Sequence, residues 1–357
     1  MNFKHILFIG GSLLLMTTSC KEDKPLNESY DDTPYDFQKV YRFPAIDVPL
    51  DNALTQAKVD LGRKLFYDVQ FSKSGTLSCG GCHNIQTAFS DNNLVLSTND
   101  LGNLTQRNTS SLFNLVWADK GLFWDGRVMS LELAVDDAIN NEQHPVWEST
   151  LANIKADQNY SFEFAKAFEN AKIDQENVNK AIASFLRIIV SKDSKYDLSL
   201  RGQATLTPLE QEGLDNIFVT ERGDCFHCHG VYPFMTDNDF HDNGLQDNVI
   251  SIGAYVDKGL GGFNGVSTDI GKMKAPPLRN LSYTAPYMHD GRFATLDEVI
   301  DFYSEGVHIT PNIDPLMKQA QQGGVQLSIQ EKAALKAFLL TLDDPSFLNN
   351  EEFKDPF

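Results

Sequence analysis

Two short stretches decide the fold, Cys79-Gly80-Gly81-Cys82-His83 and Cys225-Phe226-His227-Cys228-His229. Both have the form C-x-x-C-H, which is the attachment signature of c-type haem. Two thiols three residues apart can each add to a vinyl group of one porphyrin, and the histidine that follows can then serve as the proximal iron ligand. The sequence therefore predicts two covalently bound haems c, one on each stretch.

Other uses of these cysteines are open at this point. Disulfide bonds would suit an exported chain, but they would leave the histidine after each pair unexplained. A zinc site made from both pairs would have to join segments far apart in the sequence, in different predicted domains. A thioredoxin-like redox pair requires a βαβ setting, which the sequence does not show.

The fifth cysteine, Cys20, follows an export signal. Lys4 precedes an apolar run from Ile6 to Met16, and small polar residues separate this run from Cys20. The pattern predicts a lipoprotein signal peptide over residues 1–20, with Cys20 lipidated, or else simple secretion. We expect a location on the periplasmic side of a bacterial membrane, with the outer membrane favoured and the cell surface an alternative. Membrane contact would come only through this lipid.

The fold class predicted is mostly α, with two cytochrome c-like haem domains and long irregular loops. Apolar residues recur at helical spacing in six segments, the longest between residues 153 and 198, and strand signals are sparse. A capping box at Thr207-Pro208-Leu209-Glu210 opens the second half. The predicted division is a flexible tether over 21–44, an N-terminal haem domain over 45–193, a C-terminal haem domain over 194–345 and a tail over 346–357.

The charge balance excludes one class of partner. The chain has 30 Lys plus Arg against 49 Asp plus Glu, which gives a formal net charge of −19. Nucleic acid binding requires a basic surface, so we expect no nucleic acid partner. An acidic surface favours a basic or neutral protein partner, or serves only solubility.

Further segments resemble the bacterial di-haem cytochrome c peroxidase and MauG family. The similarity runs from about Leu61 to Leu340, and the segments occur in the family's order. Besides the two haem motifs, they are Leu61-Gly62 to Phe66, Arg107-Asn108-Thr109, Phe123-Trp124-Asp125-Gly126-Arg127, Pro277-Leu278-Arg279-Asn280, Thr284-Ala285-Pro286-Tyr287 and His289-Asp290-Gly291.

This resemblance implies a division of labour between the two haems. The haem of His83 would react with peroxide, and the haem of His229 would supply it with electrons. Trp124 falls where the family places a tryptophan between the haems. The resemblance also implies a calcium ion between the haems, held by the residues that match the family's calcium positions, which are Asn108, Thr284 and Pro286. A homodimer is a further implication.

The second axial ligand of the His229 haem divides the family. Tyr303 lies fourteen residues after His289, where ordinary peroxidases have methionine and the MauG type has tyrosine. Tyr303 is the first choice and Met288 the alternative. A phenolate ligand would lower the iron potential, whereas a thioether would raise it. No histidine lies between His83 and Trp124, so we expect an open sixth position on the first haem.

The acid/base group that peroxide cleavage requires is less well defined by the sequence. The family has a glutamate about twenty residues after the tryptophan and a glutamine ten residues before that glutamate. Here Ala134 replaces the glutamine, and the region around residue 142 does not align cleanly. Glu142 is the first candidate, closely followed by His144, and Glu148 is the third.

Three functions are therefore predicted, in order of preference. The first is a di-haem peroxidase that reduces hydrogen peroxide with electrons from a small cytochrome c or cupredoxin. The second is a MauG-like oxidase that modifies a protein partner. The third is an electron-transfer cytochrome without peroxide chemistry.

Overall fold

The computed structural model describes residues 30–230 and 232–357, and this part of the chain is mostly helical. The α-helices are α1 (Gln56–Tyr67), α2 (Cys79–Cys82), α3 (Leu131–Ala138), α4 (Trp147–Ala156), α5 (Gln158–Ala167), α6 (Gln175–Ile188), α7 (Lys195–Leu200), α8 (Pro208–Glu212), α9 (Phe226–His229), α10 (Gly259–Asn264), α11 (Leu296–Asp301) and α12 (Ile329–Leu340).

The only sheet among the described residues is a two-stranded antiparallel ribbon. Its strands are β1 (Phe240–His241) and β2 (Met273–Lys274), with Phe240 opposite Lys274. The mostly helical fold predicted from the sequence is therefore confirmed. The ribbon joins two long loop segments that lie beside the second haem motif.

Two separate hydrophobic cores organise the described chain. The first is built mainly from residues 54–189, and Cys79 packs against it. The second is built from residues 217–342, and Cys225 packs against it. Each C-x-x-C-H segment thus lies against a core of its own. Phe347, Leu348 and Phe353 from the C-terminal tail are buried in the first core, so the chain returns to its N-terminal half at the end.

In both cores a glycine allows two helices to pack closely. In the first, Gly62 on α1 lies so close to α6 that a Cβ atom would collide with the carbonyl oxygen of Ala181. In the second, a Cβ atom on Gly213, directly after α8, would collide with the carbonyl oxygen of Ala334 on α12. In both halves a glycine ahead of the haem motif lets its helix approach the last helix of that core. This repetition agrees with the predicted pair of related domains, and the exact boundaries stay a prediction.

We expect Gly62→Ala and Gly213→Ala each to lower the free energy of unfolding by about 1–3 kcal/mol, because the added methyl group forces the paired helices apart. Chemical denaturation of the haem-loaded protein measures this. Gly253→Ala is the matched control, since a Cβ atom there meets nothing within 4 Å. An equal effect of all three substitutions would contradict the helix-contact explanation.

Residues 30–44, part of the predicted tether 21–44, contact the folded body in this structure, and the tether itself stays a prediction. The backbone N–H of Tyr35 donates to the carbonyl oxygen of Leu54 at 3.0 Å. Val40 and Phe43 are buried against Trp117. The polar composition of the segment concealed these apolar side chains, whose burial fixes the chain to the folded body.

The long helical pattern between residues 153 and 198 is divided among four helices, α4 to α7. Asp157, Asp174 and Ser194 each cap a new helix by accepting a hydrogen bond from a backbone N–H of its first turn. Apolar periodicity continues across these caps, so periodicity alone did not reveal the breaks. The capping box of Thr207 and Glu210 is confirmed, with both of its hydrogen bonds present.

Three α-helices continue directly into π-helical segments. They are α3, α8 and α11, and the π-helical segments are Ile139–Gln143, Gly213–Phe218 and Phe302–Gly306. A π-helical turn shifts the side chains that follow it relative to the α-helix before it, and such turns are frequent at functional sites. Glu142 and Tyr303 both lie in these segments, so the π-helical register sets the direction of two candidate site residues.

A buried ion pair fixes the segment around Arg279 within the second half of the chain. Arg279 makes two hydrogen bonds to the carboxylate of Asp197, at 2.7 and 2.8 Å, and also donates to the carbonyl oxygen of Pro233. Both side chains are almost completely buried. Burial alone would raise the pKa of Asp197, but the guanidinium outweighs it, and the pKa is lowered. The pair therefore holds the segment around Arg279 against α7.

No helix in the described ranges is long and apolar enough to cross a membrane. The predicted signal peptide and Cys20 lie outside those ranges.

Candidate haem sites and the residues between them

Each haem motif forms one helical turn. Cys79 and Cys82 bound α2, and the backbone N–H of His83 donates to the carbonyl oxygen of Cys79 at 2.8 Å. In α9 the N–H of His229 donates to the carbonyl oxygen of Cys225 at 3.0 Å. Residues three apart on a helix share one face, so both thiols of each motif face the same side.

Both motif histidines are oriented by a backbone carbonyl. Nδ1 of His83 lies 2.8 Å from the carbonyl oxygen of Phe89. Nδ1 of His229 lies 3.1 Å from that of Pro276. A carbonyl only accepts hydrogen bonds, so each Nδ1 carries the proton and Nε2 is left with its lone pair, as an iron ligand requires. Burial lowers the pKa of both histidines, that of His229 to about 4, which keeps the imidazoles neutral.

The thiols also suit thioether bonds to a porphyrin. Burial raises the pKa of Cys79 and Cys225 to about 12, so these thiols are neutral in an apolar setting. The four described cysteines are free and do not gather into a metal site. Among the described residues, the one cluster able to hold a metal is Glu221, Asp224 and His227, which contains no cysteine. The zinc alternative is therefore disfavoured.

A large cavity surrounds the second haem motif. Cys225, Cys228 and His229 all line it, and so do Tyr303 and Trp124. Much of its remaining wall is apolar and comes from the second core: Phe218, Leu281, Leu296, Ile300, Leu335 and Leu339. An apolar cradle with two thiols and an oriented imidazole fits a covalently held haem.

Both proposed ligands of the second haem reach this cavity. Tyr303 lines it from the π-helical segment after α11, and Met288 lines it as well. The side-chain Nδ2 of Asn243 donates to the hydroxyl oxygen of Tyr303 at 2.9 Å. Burial raises the pKa of Tyr303 to about 12, and the Asn243 hydrogen bond acts in the opposite direction. The amide of Asn243 would stabilise Tyr303 as a phenolate ligand. The thioether of Met288 carries no charge and would not need such a donor.

Two further residues at this cavity, which the sequence did not mark, carry basic groups. His241 is held at both ring nitrogens, by Asp314 at 2.6 Å and Asp237 at 2.9 Å. Burial opposes its charged form, but the two carboxylates prevail and raise the pKa of His241 to about 12. Lys274 donates to the carbonyl oxygen of Gly121 at 2.7 Å, and burial lowers its pKa to about 8. Asp314 and Gly121 are distant in sequence from the residues that they contact, and only Asp237, four residues before His241, is a local partner.

Trp124 is fixed in the wall of the same cavity. Its indole Nε1 donates to the carbonyl oxygen of Asn108 at 2.8 Å. Its ring meets the ring of His289 edge-on, with centroids 6.4 Å apart. His289 is itself buried, and its carbonyl oxygen accepts a hydrogen bond from the N–H of Asn108. The tryptophan is therefore held by segments from both halves of the chain.

The three residues predicted to bind calcium lie together at this cavity. The side-chain Nδ2 of Asn108 donates to the carbonyl oxygens of Leu94 and Val95, at 3.0 and 3.1 Å. This orientation leaves its Oδ1 for another partner. Thr284 and Pro286 can offer backbone carbonyls, which suit a hard cation. The calcium ion itself stays a prediction.

A chain of ion pairs continues from the tryptophan segment. Arg107 makes two hydrogen bonds to Asp257 and one to Asp125, and Asp125 also pairs with Arg127. Arg127 in turn pairs with Asp137 on α3 at 2.8 Å. The chain thus links a loop of the second half with α3, the helix that leads to Glu142.

The candidate acid/base residues differ in their surroundings. Glu142 is partly buried, and burial raises its pKa, while the charges of Arg127 and His144 partly offset this effect. Nε2 of His144 lies 3.5 Å from Nδ2 of Asn99. Glu148 is exposed in the first turn of α4. A half-buried carboxyl group with a raised pKa is the better proton acceptor near neutral pH, which favours Glu142.

The site predicts where haem will be attached. We expect proteolytic peptides containing residues 79–82 and 225–228 each to carry the mass of one haem. Replacing Cys225 and Cys228 together by serine should remove only the second haem, because each motif has its own core. Mass spectrometry and the pyridine haemochrome absorbance measure this. Loss of both haems from the double variant would contradict independent attachment.

Two oriented C-x-x-C-H turns, each beside its own core, define the class of di-haem c-type cytochromes. The chain belongs to the di-haem cytochrome c peroxidase and MauG family. The family model described as di-haem cytochrome c peroxidase matches residues 56–205. The resemblance inferred from the sequence is thereby confirmed.

Some relatives are named MauG and others cytochrome-c peroxidase. The chain is 31% identical over 350 residues to the methylamine utilization protein MauG of Methylophilus methylotrophus, covering 96% of each chain. It is 30% identical over 339 residues to the cytochrome-c peroxidase IdrP1 of Pseudomonas sp. (strain SCT), covering 85% of each. A solved structure of a MauG-like protein associated with microbial copper homeostasis has 35% identity and a TM-score of 0.83, with 90% of this chain and 99% of that chain covered.

Proposed function

We propose that this protein reduces hydrogen peroxide to water with electrons from a small redox protein, a cytochrome c or a cupredoxin. One peroxide, two electrons and two protons give two waters. The observation that carries the proposal is the position of the segment 123–127. Its Trp124 lines the cavity of the second haem motif, and the charge of its Arg127 acts on Glu142 near the first. One short segment therefore connects the two sites.

The first haem would supply the site at which the peroxide bond is cleaved. Glu142 would take the proton from one peroxide oxygen and deliver it to the other. Burial would raise the pKa of Glu142, and the charge of Arg127 would oppose this rise and so favour the carboxylate form. Burial, Asp91 and Glu142 all raise the pKa of Cys82, and Gln143, the residue after Glu142, donates to the carbonyl oxygen of Leu77, two residues before the first motif.

Electrons would enter at the second haem and pass through Trp124. The hydrogen bond from Trp124 to Asn108 and the edge-on contact with His289 fix the indole in one orientation. A fixed aromatic ring needs little rearrangement when it gains or loses an electron. The net charge of −19 favours a basic electron donor.

Tyr303 is the proposed second ligand of the His229 haem. Its hydroxyl faces the cavity that contains Cys225 and Cys228 and accepts a hydrogen bond from Asn243, which stabilises negative charge on the oxygen. Anionic ligation would lower the haem potential and favour high oxidation states. With no histidine between His83 and Trp124 to block the first haem, the fully oxidised protein should react with peroxide directly.

Anaerobic stopped-flow spectroscopy tests this proposal. Peroxide is mixed with the fully oxidised protein and, separately, with the one-electron-reduced protein, followed by a reduced cytochrome c. We expect fast reaction of the oxidised form and re-reduction by the cytochrome. Reaction confined to the reduced form would overturn Tyr303 ligation. Two haems that are both inert to peroxide would leave only an electron-transfer cytochrome.

Another prediction concerns the second axial ligand of the His229 haem. Tyr303→Phe should change the absorption spectrum of the second haem only, because the residue lines that haem's cavity. Asn243→Leu should produce a smaller change of the same haem, since the oxygen stays in place and loses only its donor. Met288→Leu is the control and should leave the spectrum unchanged. The reverse pattern would assign the ligand to Met288.

A third prediction concerns the acid/base residue. The peroxide rate should fall as the pH falls through the pKa of Glu142, which burial raises above its ordinary value of 4.5. Glu142→Gln should remove this pH dependence and lower the rate at least about 100-fold. His144→Gln should retain both the pH dependence and the rate of the reaction with peroxide. If His144→Gln is the variant that loses them, the assignment moves to His144.

A MauG-like oxidation of a protein partner is the second candidate function. It is favoured by Tyr303 and by the two relatives named MauG or MauG-like. It would use the same residues, but the two electrons would come from a side chain of the partner. In the stopped-flow experiment, an oxidised state that outlasts an excess of reduced cytochrome c would favour this function.

We also propose that the protein is exported and held at the membrane by a lipid on Cys20. Its periplasmic or surface-exposed location would give it access to peroxide and to a small electron donor. Replacement of Cys20 by alanine should release the protein from the membrane fraction.

A further inference from the structure

Gln143 has a buried oxygen without a protein partner. Its side chain is 4% exposed, and Oε1 has no hydrogen-bond donor among the described residues. The other end of the same amide is committed, because Nε2 donates to the carbonyl oxygen of Leu77 at 3.3 Å. An unsatisfied buried acceptor costs about 1–3 kcal/mol, so such an atom calls for a partner outside the chain.

The surroundings of this oxygen belong to the first haem motif. Leu77 is two residues before Cys79, and the backbone carbonyl of Gln143 accepts a hydrogen bond from Lys73 at 2.9 Å. The preceding residue, Glu142, acts electrostatically on Cys82. Residues 142 and 143 therefore lie against the segment that enters the motif.

The local backbone holds the amide in place. Gln143 ends the π-helical segment that follows α3, and the next residue, His144, has a left-handed backbone with φ of 50°. A left-handed conformation is uncommon for a residue with a side chain and is retained where the surroundings enforce it. The π-helical turn thus ends with the Gln143 amide against Leu77, two residues before the motif.

The chemistry of the oxygen limits its partner. An amide oxygen only accepts hydrogen bonds, so its partner must be a donor. Haem propionates are anionic acceptors and cannot fill this role. Water and hydrogen peroxide are small protic molecules that can donate and still contact a neighbouring carboxylate.

We propose that Gln143 is a peroxide-binding residue of the first haem site. Its Oε1 accepts a hydrogen bond from a water in the resting protein and from hydrogen peroxide during the reaction, beside Glu142. The assignment rests on the proposed peroxide chemistry and adds to it a residue that Glu142 alone does not provide.

The test compares Gln143→Met with Gln86→Met. Gln86 is the matched control, because its Nε2 likewise donates to a backbone carbonyl, that of Leu348, while the residue is exposed and its oxygen can meet solvent. Methionine keeps the length of the side chain and removes the acceptor. Gln143→Leu is the second variant if the methionine protein does not fold.

The first readout is independent of activity. Resonance Raman coordination markers of the oxidised first haem report how much of it holds water. We expect Gln143→Met to lose water from that haem and Gln86→Met to keep it. Cyanide affinity should stay within about twofold in both variants, because bound cyanide is an anion with no proton to donate.

The second readout is the rate constant for the reaction with peroxide, which should fall about five- to tenfold in Gln143→Met, the value of one hydrogen bond. Unchanged water content and an unchanged rate would overturn the proposal. An equal loss of cyanide affinity would also overturn it, since it would indicate a collapsed site. If the wild-type protein does not react with peroxide, the proposed function fails, and the water content still decides the role of Gln143.

Discussion

The hydrogen bond from each motif histidine to a backbone carbonyl is the constraint on which both haem sites depend. A C-x-x-C-H turn brings two thiols to one face, but it does not by itself direct the imidazole. The carbonyl oxygens of Phe89 and Pro276 do so, by fixing the proton on Nδ1 and leaving Nε2 for the iron. Each carbonyl belongs to a loop that its own half of the protein holds in place.

Those loops are in turn fixed by buried contacts. Pro276 precedes the segment that contains Arg279, whose guanidinium is buried on Asp197. Phe89 is itself buried in the first core. Breaking a buried ion pair from one side costs about 3–5 kcal/mol, so the orientation of His229 is coupled to the Arg279–Asp197 ion pair within the second half.

Much of the chemistry could be predicted from local sequence. The haem motifs and the capping box at Thr207 are short patterns whose residues act within one turn. The contacts of residues 30–44 were not predicted, because the polar composition outweighed the few aromatic residues that pack there, such as Phe43. The breaks between α4 and α7 were missed because the apolar period runs through the caps.

Other features depend on contacts between distant segments. His241 becomes a fixed cation only because Asp314 meets it from a distant loop. The π-helical register that directs Glu142, Gln143 and Tyr303 leaves no mark in apolar periodicity. The orphaned oxygen of Gln143 is visible only once every neighbour has been placed. Family resemblance supplied Trp124 and Tyr303, and the fold supplied the residues that hold them.

The central claim is that Trp124 connects the two haem sites, and rapid mixing of the oxidised Trp124→Phe protein with peroxide tests it most directly. Trp117→Phe is the control, because the indole N–H of Trp117 likewise donates to a backbone carbonyl, that of Pro44. The account predicts spectral changes at both haems in the wild type and the control, and a change confined to the His83 haem in Trp124→Phe. Equal changes at both haems in Trp124→Phe would contradict it.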